Sequence, residues 1–419
     1  MTDRISEWQS QGFARPARRI RWVLFAAMGL SSAAVIAMAT VSPIAAAEIG
    51  GSPAWAGVPA AMVLIGAMLS SPAWGPTSDA LGRRKAVVLG LILGTAGAVI
   101  AGWGLGAGAG LIFFAGLLPT GTASAAIQLS RFAAGEVHPP ELSARAISTV
   151  VLGGTVGSIA GPLLVGPTGI AATRLGVDEL VGPFVAAAGL FALAAAVVFF
   201  LLRPDPRDLG RQTARLFQPD VSDSGPARSV WTVLTSRPGL LAVAAMALGQ
   251  MVMIMVMVMT ALHMRDHRHG LSSISLVIAS HTFGMYAFSV FSGRLADRYG
   301  RVVVISGGAA LLGLACLTAP LSPDVLPLAV SLFLLGFGWN LCFVAGSALL
   351  DDQLRPAERG RTQGINDLLV GAASAVGSLA SGVLFRATGY GGLALVGAGV
   401  AMIPLVLGVM WRRLVPATT

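Results

Sequence analysis

Soft metal ligands are concentrated in one stretch of this sequence. Seven of the fifteen methionines lie within 246–264, and from residue 250 the chain reads QMVMIMVMVMTALHM. His281 and Met285 follow four residues apart, and four of the five histidines lie within 263–281. Thioethers select Cu(I) among the first-row metals and imidazole is compatible with it, so a copper site is one interpretation. Flexible apolar packing is the other, because methionine commonly fills gaps in cores.

The composition decides which kind of element carries these residues. Of the 419 residues, 55% are hydrophobic and 11% are charged, whereas soluble domains have roughly 25% charged residues. The mean hydropathy is +0.78. These values predict a multi-pass membrane protein. The methionine stretch must then be helical despite its period of two, because backbone polar groups cannot go unsatisfied in lipid.

A helical rotation of about 100° per residue divides the methionines between two faces. Met253 and Met257 share one face with the polar residues Gln250 and Thr260. Polar groups in a membrane helix point to a protein interior or a cavity, so this face is predicted to line one. The other face is predicted to contact lipid or a neighbouring helix, and it carries Met251, Met255 and Met259.

Twelve apolar segments are long enough to span a bilayer, which takes roughly 20 residues. The first has no convincing cleavage site, so we expect a retained helix rather than a signal peptide. With both termini in the cytoplasm, the cytoplasmic segments would carry 24 of the 28 Lys and Arg residues, which predicts that orientation. The segments are 20–46, 55–77, 86–105, 108–132, 146–169, 181–202, 238–262, 272–293, 301–322, 325–349, 364–386 and 391–411.

The chain divides into two similar halves. The longest polar stretch, 203–237, predicts a cytoplasmic linker between an N-terminal half, 1–202, and a C-terminal half, 238–419. GPTSDALGRRK (75–85) in the first half matches GRLADRYGRVV (293–303) in the second. We therefore expect an all-α membrane protein of two pseudo-symmetric six-helix halves, with a site at their interface.

Both matching segments resemble the loop signature of the major facilitator superfamily, G-x-x-x-D-x-x-G-R. The resemblance implies a secondary transporter with twelve transmembrane helices, and not an enzyme. The Asp is expected to cap a helix terminus, and the Arg residues are expected to latch the two halves at the cytoplasmic face. The matching positions are Asp79, Gly82, Arg83, Asp297, Gly300 and Arg301.

Met253-x-x-x-Met257 and His281-x-x-x-Met285 resemble the paired motifs that the CcoA-type copper importers of bacteria carry on spans seven and eight. That resemblance implies that these four residues bind or pass copper, which would be the cargo and not a resident cofactor. It also implies an inner-membrane protein that imports copper by alternating access and supplies cytochrome oxidase assembly. The additional methionines between 251 and 259 leave the register of the first motif open.

Other polar residues suggest where metal or protons could move. The loop after span seven either binds copper first or is an ordinary solvated loop, and its residues of interest are His263, Met264, His267 and His269. Arg131 and Asp367 are expected to pair near the cytoplasm. Asp367 is also the best carboxylate for proton coupling, since ionisable groups inside a membrane commonly relay protons.

A second function stays open at this point. GTVGSIAGP (154–162) resembles the antiporter motif of drug exporters, although its small residues also suit close helix packing. That resemblance implies a proton-coupled exporter of drugs or other small hydrophobic compounds, with the methionines as an adaptable surface. A nucleotide-binding G-x-x-x-x-G-K-[ST] loop is absent. The expected partners are copper and the lipid bilayer around a monomer, without nucleic acid, because the arginines are spread through the loops.

Overall fold

The computed structural model describes residues 2–217, 228–355 and 358–414. Helices make up nearly all of these ranges, and no β-strand occurs within them. Helices satisfy their own backbone groups, which is why a chain with this hydropathy folds in this way in lipid. The predicted all-α membrane class is therefore confirmed.

The chain forms two compact units. Unit 1 comprises Met1–Val41 and Met62–Ser222, and unit 2 comprises Ser42–Ala61 and Asp223–Thr419. Helix α2 contributes to both units, and a short 3-10 turn, Pro53–Gly57, follows it. The first eight helices are α1 (Thr2–Ser10), α2 (Ala14–Gly50), α3 (Val58–Leu81), α4 (Arg83–Gly106), α5 (Gly110–Glu136), α6 (Pro140–Arg174), α7 (Val181–Leu201) and α8 (Pro206–Leu216).

The helices after the linker belong to unit 2. A second 3-10 turn, Ala319–Leu321, extends one of them. In order they are α9 (Val230–Leu234), α10 (Arg237–Asp266), α11 (Leu271–Tyr286), α12 (Ser289–Tyr299), α13 (Arg301–Thr318), α14 (Val325–Asp351) and α15 (Arg359–Leu414).

Unit 2 includes a segment that the predicted boundaries placed in the N-terminal half. Within unit 2, the Ser378 hydroxyl donates to the Gly57 carbonyl oxygen at 2.8 Å. A Cβ on Gly57 would lie 1.7 Å from the Ser378 carbonyl oxygen, so only glycine permits this approach. The 3-10 turn thus packs directly on α15, and Ser42–Ala61 groups with unit 2 for that reason.

The number of membrane spans agrees with the predicted twelve. Ten helices of the described ranges are long and apolar enough to cross a bilayer, and α11 with α12 forms a broken eleventh. The span-forming part of α15, Arg361–Trp411, has 51 residues, more than twice the roughly 20 that one crossing needs. It is interrupted at Gly389, which has φ 68° and ψ −175°, so it supplies two spans.

The predicted span 272–293 is not one straight helix. α11 and α12 are bent by 40° at the break between Tyr286 and Ser289. Asn340 of α14 donates to the Met285 carbonyl oxygen at 2.6 Å and to the Ser289 hydroxyl at 2.9 Å. Ser292 donates to the Asn340 side-chain oxygen at 2.5 Å. The amide of another helix thus supports the break, as polar neighbours do in interrupted membrane helices.

The predicted linker 203–237 contains two helices. Asp205 caps α8 by accepting from the Arg207 backbone N–H at 2.9 Å, and Pro206 occupies the first turn. Both features favour a helix start. α9 lies near the other end of the linker, and residues 218–227 lie outside the described residues.

Candidate functional site

The polar face of α10 contacts α14 and α15 through Gln250. The Gln250 Nε2 donates to the Ser374 hydroxyl at 2.9 Å, and its Oε1 accepts from Trp339 Nε1 at 2.7 Å. Ten residues later, the Thr260 and Tyr390 hydroxyls are 2.7 Å apart. Because a buried polar group without a partner is costly, these pairs fix the rotation of α10 within unit 2.

The opposite face of α10 packs against α15. Met251 lies against Gly377, where an added Cβ would be 2.7 Å from Met251 Cγ. Met255 lies against Gly397, where an added Cβ would be 3.3 Å from its methyl carbon. Met259 is fully buried. This face was expected to contact either lipid or a neighbouring helix. Met251 and Met255 contact the neighbouring helix, because the glycines of α15 allow close approach.

The four residues of the predicted copper site lie on α10 and α11. Met253, His281 and Met285 are 4%, 0% and 7% exposed, and Met257 is half-buried. α11 packs mainly against α14, whereas α10 packs mainly against α14 and α15. In the described ranges, no group of three or more His, Cys, Asp or Glu side chains could hold a metal. A site here would therefore depend on methionine sulfur, and coordination by the four residues together stays a prediction.

His281 faces α14 from α11. Its Nδ1 lies 2.9 Å from the Leu332 carbonyl oxygen, so Nδ1 carries the hydrogen and donates it. Its Nε2 is buried and has no hydrogen-bond partner among the described residues. Gly336 makes room for this contact, since an added Cβ there would lie 2.3 Å from the His281 carbonyl oxygen. The neutral ring thus presents an unused lone pair inside the protein.

The loop residues expected to bind metal first are only partly brought together. The His263 and His267 rings have centroids 4.4 Å apart at the C-terminal end of α10. His269 turns to the next loop, where its Nε2 lies 2.9 Å from the Pro323 carbonyl oxygen. Met264 is fully buried. Two of the four residues are therefore adjacent and exposed enough to share a ligand.

A cluster on unit 2 combines the predicted polar residue Gln250 with aromatic rings that were not predicted. The Trp339 and Phe343 rings stack with centroids 4.9 Å apart, and Tyr286 contacts Trp339 edge-on at 6.2 Å. Gln250 and Ser374 continue the cluster through the hydrogen bonds described above. A signal was present in the sequence, because a Trp beside an Asn in the middle of an apolar span is unusual.

The predicted coupling residues lie in different units. In unit 1, the Arg131 guanidinium lies 5.0 Å from the centre of the Phe132 ring, and its buried Nε has no hydrogen-bond partner within the described ranges. In unit 2, Asp367 is exposed on α15, beside the buried Asn366. Their pairing and a role of Asp367 in proton coupling stay predictions.

The glycines of 154–162 are explained by helix packing inside unit 1. An added Cβ on Gly157 would lie 1.9 Å from the Gly29 carbonyl oxygen. At Gly161 it would lie 2.6 Å from the Ala33 carbonyl oxygen. Both contacts bring the backbones of α2 and α6 together, as small residues do in membrane helices. Packing therefore accounts for these two positions of the antiporter-like motif.

Comparison with known proteins identifies the family of this chain. The family model described as Major Facilitator Superfamily matches residues 23–272 and 244–419. The chain belongs to the major facilitator superfamily. It is therefore a multi-pass secondary transporter of the membrane, consistent with a bacterial inner membrane, and proteins of this superfamily are not enzymes.

This major facilitator protein matches known proteins over nearly its whole length. It is 33% identical over 399 residues to the uncharacterized MFS-type transporter YdeG of Bacillus subtilis (strain 168), covering 94% of this chain and 92% of that one. It is 30% identical over 380 residues to the riboflavin transporter RfnT of Brucella anthropi, covering 90% and 92%. The copper prediction gains no support from these proteins.

A solved structure confirms the predicted fold. The bacterial homolog of the human lysosomal transporter Spinster matches with a TM-score of 0.73 at 15% identity, covering 94% of this chain and 96% of that one. At this identity the likeness establishes the major facilitator fold and leaves the cargo open.

The first loop signature of this major facilitator protein forms an ion-pair cluster inside unit 1. Arg83 lies 3.3 Å from Asp79 and 2.9 Å from Glu136. Asp79 was expected to cap a helix terminus, but it lies inside α3 and does not cap the start of α4. Asp205 accepts instead from the backbone N–H groups of Arg83 and Arg84, at 3.1 and 3.2 Å. Its carboxylate complements the positive end of the α4 dipole.

The second loop signature repeats the ion pairs inside unit 2. Arg301 pairs with Asp297 and lies 3.3 Å from Asp352. Gly300 precedes α13 and has no side chain to cap it, and no described side chain is recorded as accepting from the first backbone N–H groups of α13. Every contact described for the two signatures lies within one unit, so the expected latch between the halves stays a prediction.

Proposed function

We propose that this transporter carries a planar organic molecule with a heteroaromatic ring, of the size and kind of riboflavin. The observation that carries the proposal is the aromatic and amide cluster of unit 2. Its Trp339 and Phe343 rings stack with an interplanar angle of 21°. Trp339 is buried and Phe343 is half-buried, so a ligand ring would extend the stack on the flat apolar surface of Phe343. Such surface suits a planar ring, because aromatic groups prefer offset stacking.

Gln250 would provide the polar recognition. Its amide uses one donor on Ser374 and one acceptor position on Trp339, although a glutamine amide has two donors and two acceptor positions. One donor and one acceptor are thus left for a ligand such as a cyclic imide. A few convergent polar groups in an aromatic surrounding are typical of small-molecule sites. The similarity to RfnT, which is named as a riboflavin transporter, supports the same class of cargo.

Transport into proteoliposomes tests this proposal. Riboflavin is the first substrate to measure, followed by other planar heterocycles. We expect Trp339→Leu and Gln250→Leu to slow transport by at least about tenfold, which corresponds to about 1.4 kcal/mol of lost interaction. Trp103→Leu is the matched control, because Trp103 lies on α4 of unit 1 with an exposed ring. Equal rates in all three variants, or no transport of any such compound, would refute the proposal.

The direction of transport is a separate measurement. A proton-coupled exporter would lower the accumulation of the same compounds in cells, and a proton uncoupler would restore that accumulation. If Trp339→Leu loses this export, the proposed substrate site is supported and the direction of transport is outward.

We infer a second candidate cargo, copper, from one observation, the buried His281 Nε2, for which the described part of the chain provides no hydrogen-bond partner. Together with the sulfurs of Met253, Met257 and Met285, this nitrogen would form a soft ligand set for Cu(I). The protein would then import copper for cytochrome oxidase assembly. Cellular copper should fall in Met253→Leu and His281→Ala but not in Met255→Leu, which contacts Gly397. Wild-type copper no higher than in cells lacking the protein would exclude this cargo.

A further inference from the structure

Two histidines at the C-terminal end of α10 form a pair that lies outside the proposed substrate site. His263 and His267 are one helical turn apart, which places both side chains on one face. Their ring centroids are 4.4 Å apart, with an interplanar angle of 63°. His267 is exposed and His263 is half-buried, so the pair is open to solvent on one side.

The tautomer of His267 suits metal binding. Its Nδ1 lies 2.8 Å from the His263 carbonyl oxygen. A carbonyl can only accept, so Nδ1 carries the hydrogen and the lone pair of the neutral ring is on Nε2. Metal-bound histidines usually donate their other ring N–H to a carbonyl or a carboxylate in this way. The backbone thus already orients one ligand of the pair.

The plane of His263 is fixed by a different helix. Its ring stacks on Tyr390 with centroids 4.3 Å apart and an interplanar angle of 8°. The Tyr390 hydroxyl is hydrogen-bonded to Thr260, one turn before His263 on α10. Tyr390 directly follows Gly389, where α15 is interrupted. The histidine pair is therefore connected to the start of the last membrane span.

The charges around the pair leave room for a cation. Arg265, which lies between the two histidines in sequence, pairs with Glu48 at 3.7 Å. Asp266 is exposed beside them at the end of α10. Of the two neighbouring arginines, Arg265 is thus partly neutralised and Arg268 is exposed beside His267, while the Asp266 carboxylate favours a positive ion.

We propose that His263 and His267 bind a divalent transition metal such as Zn²⁺, and that the bound metal slows transport. Imidazole suits zinc, copper and nickel ions. Among the described residues, no third His, Cys, Asp or Glu completes a site, so water fills the remaining positions. Since His263 stacks on Tyr390, the metal would stiffen the junction of α10 and the last span. This role differs from that of a cargo and holds whichever compound is transported.

Zinc titration of the purified full-length protein tests the site without a transport substrate. A competing chromophoric chelator reports the affinity. We expect His267→Ala to weaken Zn²⁺ binding by at least about tenfold, since even an outer partner of a metal ligand is worth 10–100-fold. His269→Ala is the matched control, because it removes a neighbouring imidazole whose ring turns to the next loop, at the Pro323 carbonyl, and not to His263. Unchanged affinity in His267→Ala, or an equal loss in His269→Ala, would overturn the proposal.

A transport assay tests the consequence of binding. Micromolar Zn²⁺ should slow wild-type transport and leave the rate of His267→Ala unchanged. A Zn²⁺ effect of the same size in both proteins would contradict the proposed inhibition. His267 is exposed, so its replacement should leave the thermal unfolding temperature unchanged, and that measurement separates loss of the ligand from misfolding.

Discussion

The two loop signatures share an ion-pair arrangement and differ in how the turn is closed. In unit 1, Arg83 contacts Asp79 and Glu136, and the Asp205 carboxylate caps the helix that begins at Arg83. In unit 2, Arg301 contacts Asp297 and Asp352, and within the described ranges no side chain is recorded as capping the helix start after Gly300. The repeat therefore carries the ion pairs, while the cap of unit 1 comes from a residue of the linker.

At the first end of the linker the carboxylate belongs to the linker itself, whereas at the other end it belongs to the unit. There the linker provides the cation, Arg228, and unit 2 provides the carboxylate, Glu358. Glu358 is buried and accepts from the Arg228 backbone at 2.8 Å and from its guanidinium at 2.7 and 2.9 Å. The Arg355 backbone N–H donates to the same carboxylate at 3.1 Å. Each unit thus holds its own end of the linker through one carboxylate.

The largest expected difference between the signatures is at their second glycine. Gly82 has φ 91° and ψ 156°, and Gly300 has φ 89° and ψ 147°. Alanine in this region costs about 1–3 kcal/mol of strain at either position. At Gly82 the new Cβ would also lie 2.5 Å from Asp205 Oδ2, whereas at Gly300 no atom of the described residues lies within 4 Å. Gly82→Ala should therefore lower the free energy of unfolding by about 1–2 kcal/mol more than Gly300→Ala, because it also displaces a helix cap.

Thermal unfolding of the two alanine variants in the same detergent measures this difference. The transport rate confirms that each variant is still folded before heating. Equal shifts in the unfolding temperature would mean that Asp205 moves aside freely, and the contrast between the signatures would lose its physical basis.

The next largest effect is expected from Asp205 itself. Asp205→Ala removes the acceptor for the start of α4 and for the start of α8, so we expect a loss of about 1–2 kcal/mol in the free energy of unfolding. Asp208→Ala is the control, because that carboxylate is exposed and lies 3.5 Å from Arg207. Combining Asp205→Ala with Gly82→Ala should cost less than the sum of the two, since both remove the same contact. Full additivity would contradict the assignment.

The pair of Arg228 and Glu358, which anchors the linker to unit 2, predicts that the stability of the fold depends on pH. Hydrogen bonds from Arg228 hold the pKa of Glu358 below its ordinary value of 4.5. A carboxyl with a lowered pKa stabilises the fold above its unfolded-state pKa, and that contribution is lost as the pH falls further. Glu358→Gln should thus unfold at a lower temperature than wild type near neutral pH, and the gap should shrink below pH 4.5. A gap that stays constant across this range would argue against the ionised pair.

This effect should be smaller than that of Asp205→Ala. Gln retains an acceptor oxygen, and the Arg228 side chain is 41% exposed, so water compensates part of the loss. Thermal unfolding of Glu358→Gln and Asp205→Ala therefore compares how strongly the two ends of the linker are held.

The sequence predicted the features that depend on local periodicity. Long apolar segments located the spans, and the 100° rotation separated Met253 from Met255 on α10. The linker helices were not predicted as helices, and the break after Tyr286 was not either. That break depends on Asn340, whose side chain comes from another helix and is invisible to hydropathy.

The site was predicted less well, because its geometry depends on which helices are neighbours. Coordination of copper by His281 and Met253 stays a prediction, whereas the contact of the His281 Nδ1 with the Leu332 carbonyl of α14 was not predicted. The capping of Arg83 by Asp205 joins residues 122 positions apart. A repeat in the sequence could not suggest this cap, because Asp205 lies outside the repeated segment. Contacts between non-neighbouring segments were therefore the part that residue types and spacing left undetermined.

The smallest expected effect concerns the ion pairs that the signatures share. Arg83 makes two hydrogen bonds to Glu136, at 2.9 and 3.3 Å, whereas Arg301 makes one to Asp352, at 3.3 Å. Partly exposed pairs contribute about 0.2–1 kcal/mol, and the double contact belongs at the upper end of that range. Glu136→Gln should therefore destabilise more than Asp352→Asn in low salt.

Raising the salt from roughly 0.1 to 1 M shortens the screening length from about 10 to 3 Å and should reduce both losses. The loss from Asp205→Ala should fall much less, because that carboxylate bonds backbone N–H groups directly. If salt reduced all three losses in the same proportion, the cap would be acting as one more surface charge. The two signatures would then differ only in the number of their ion pairs.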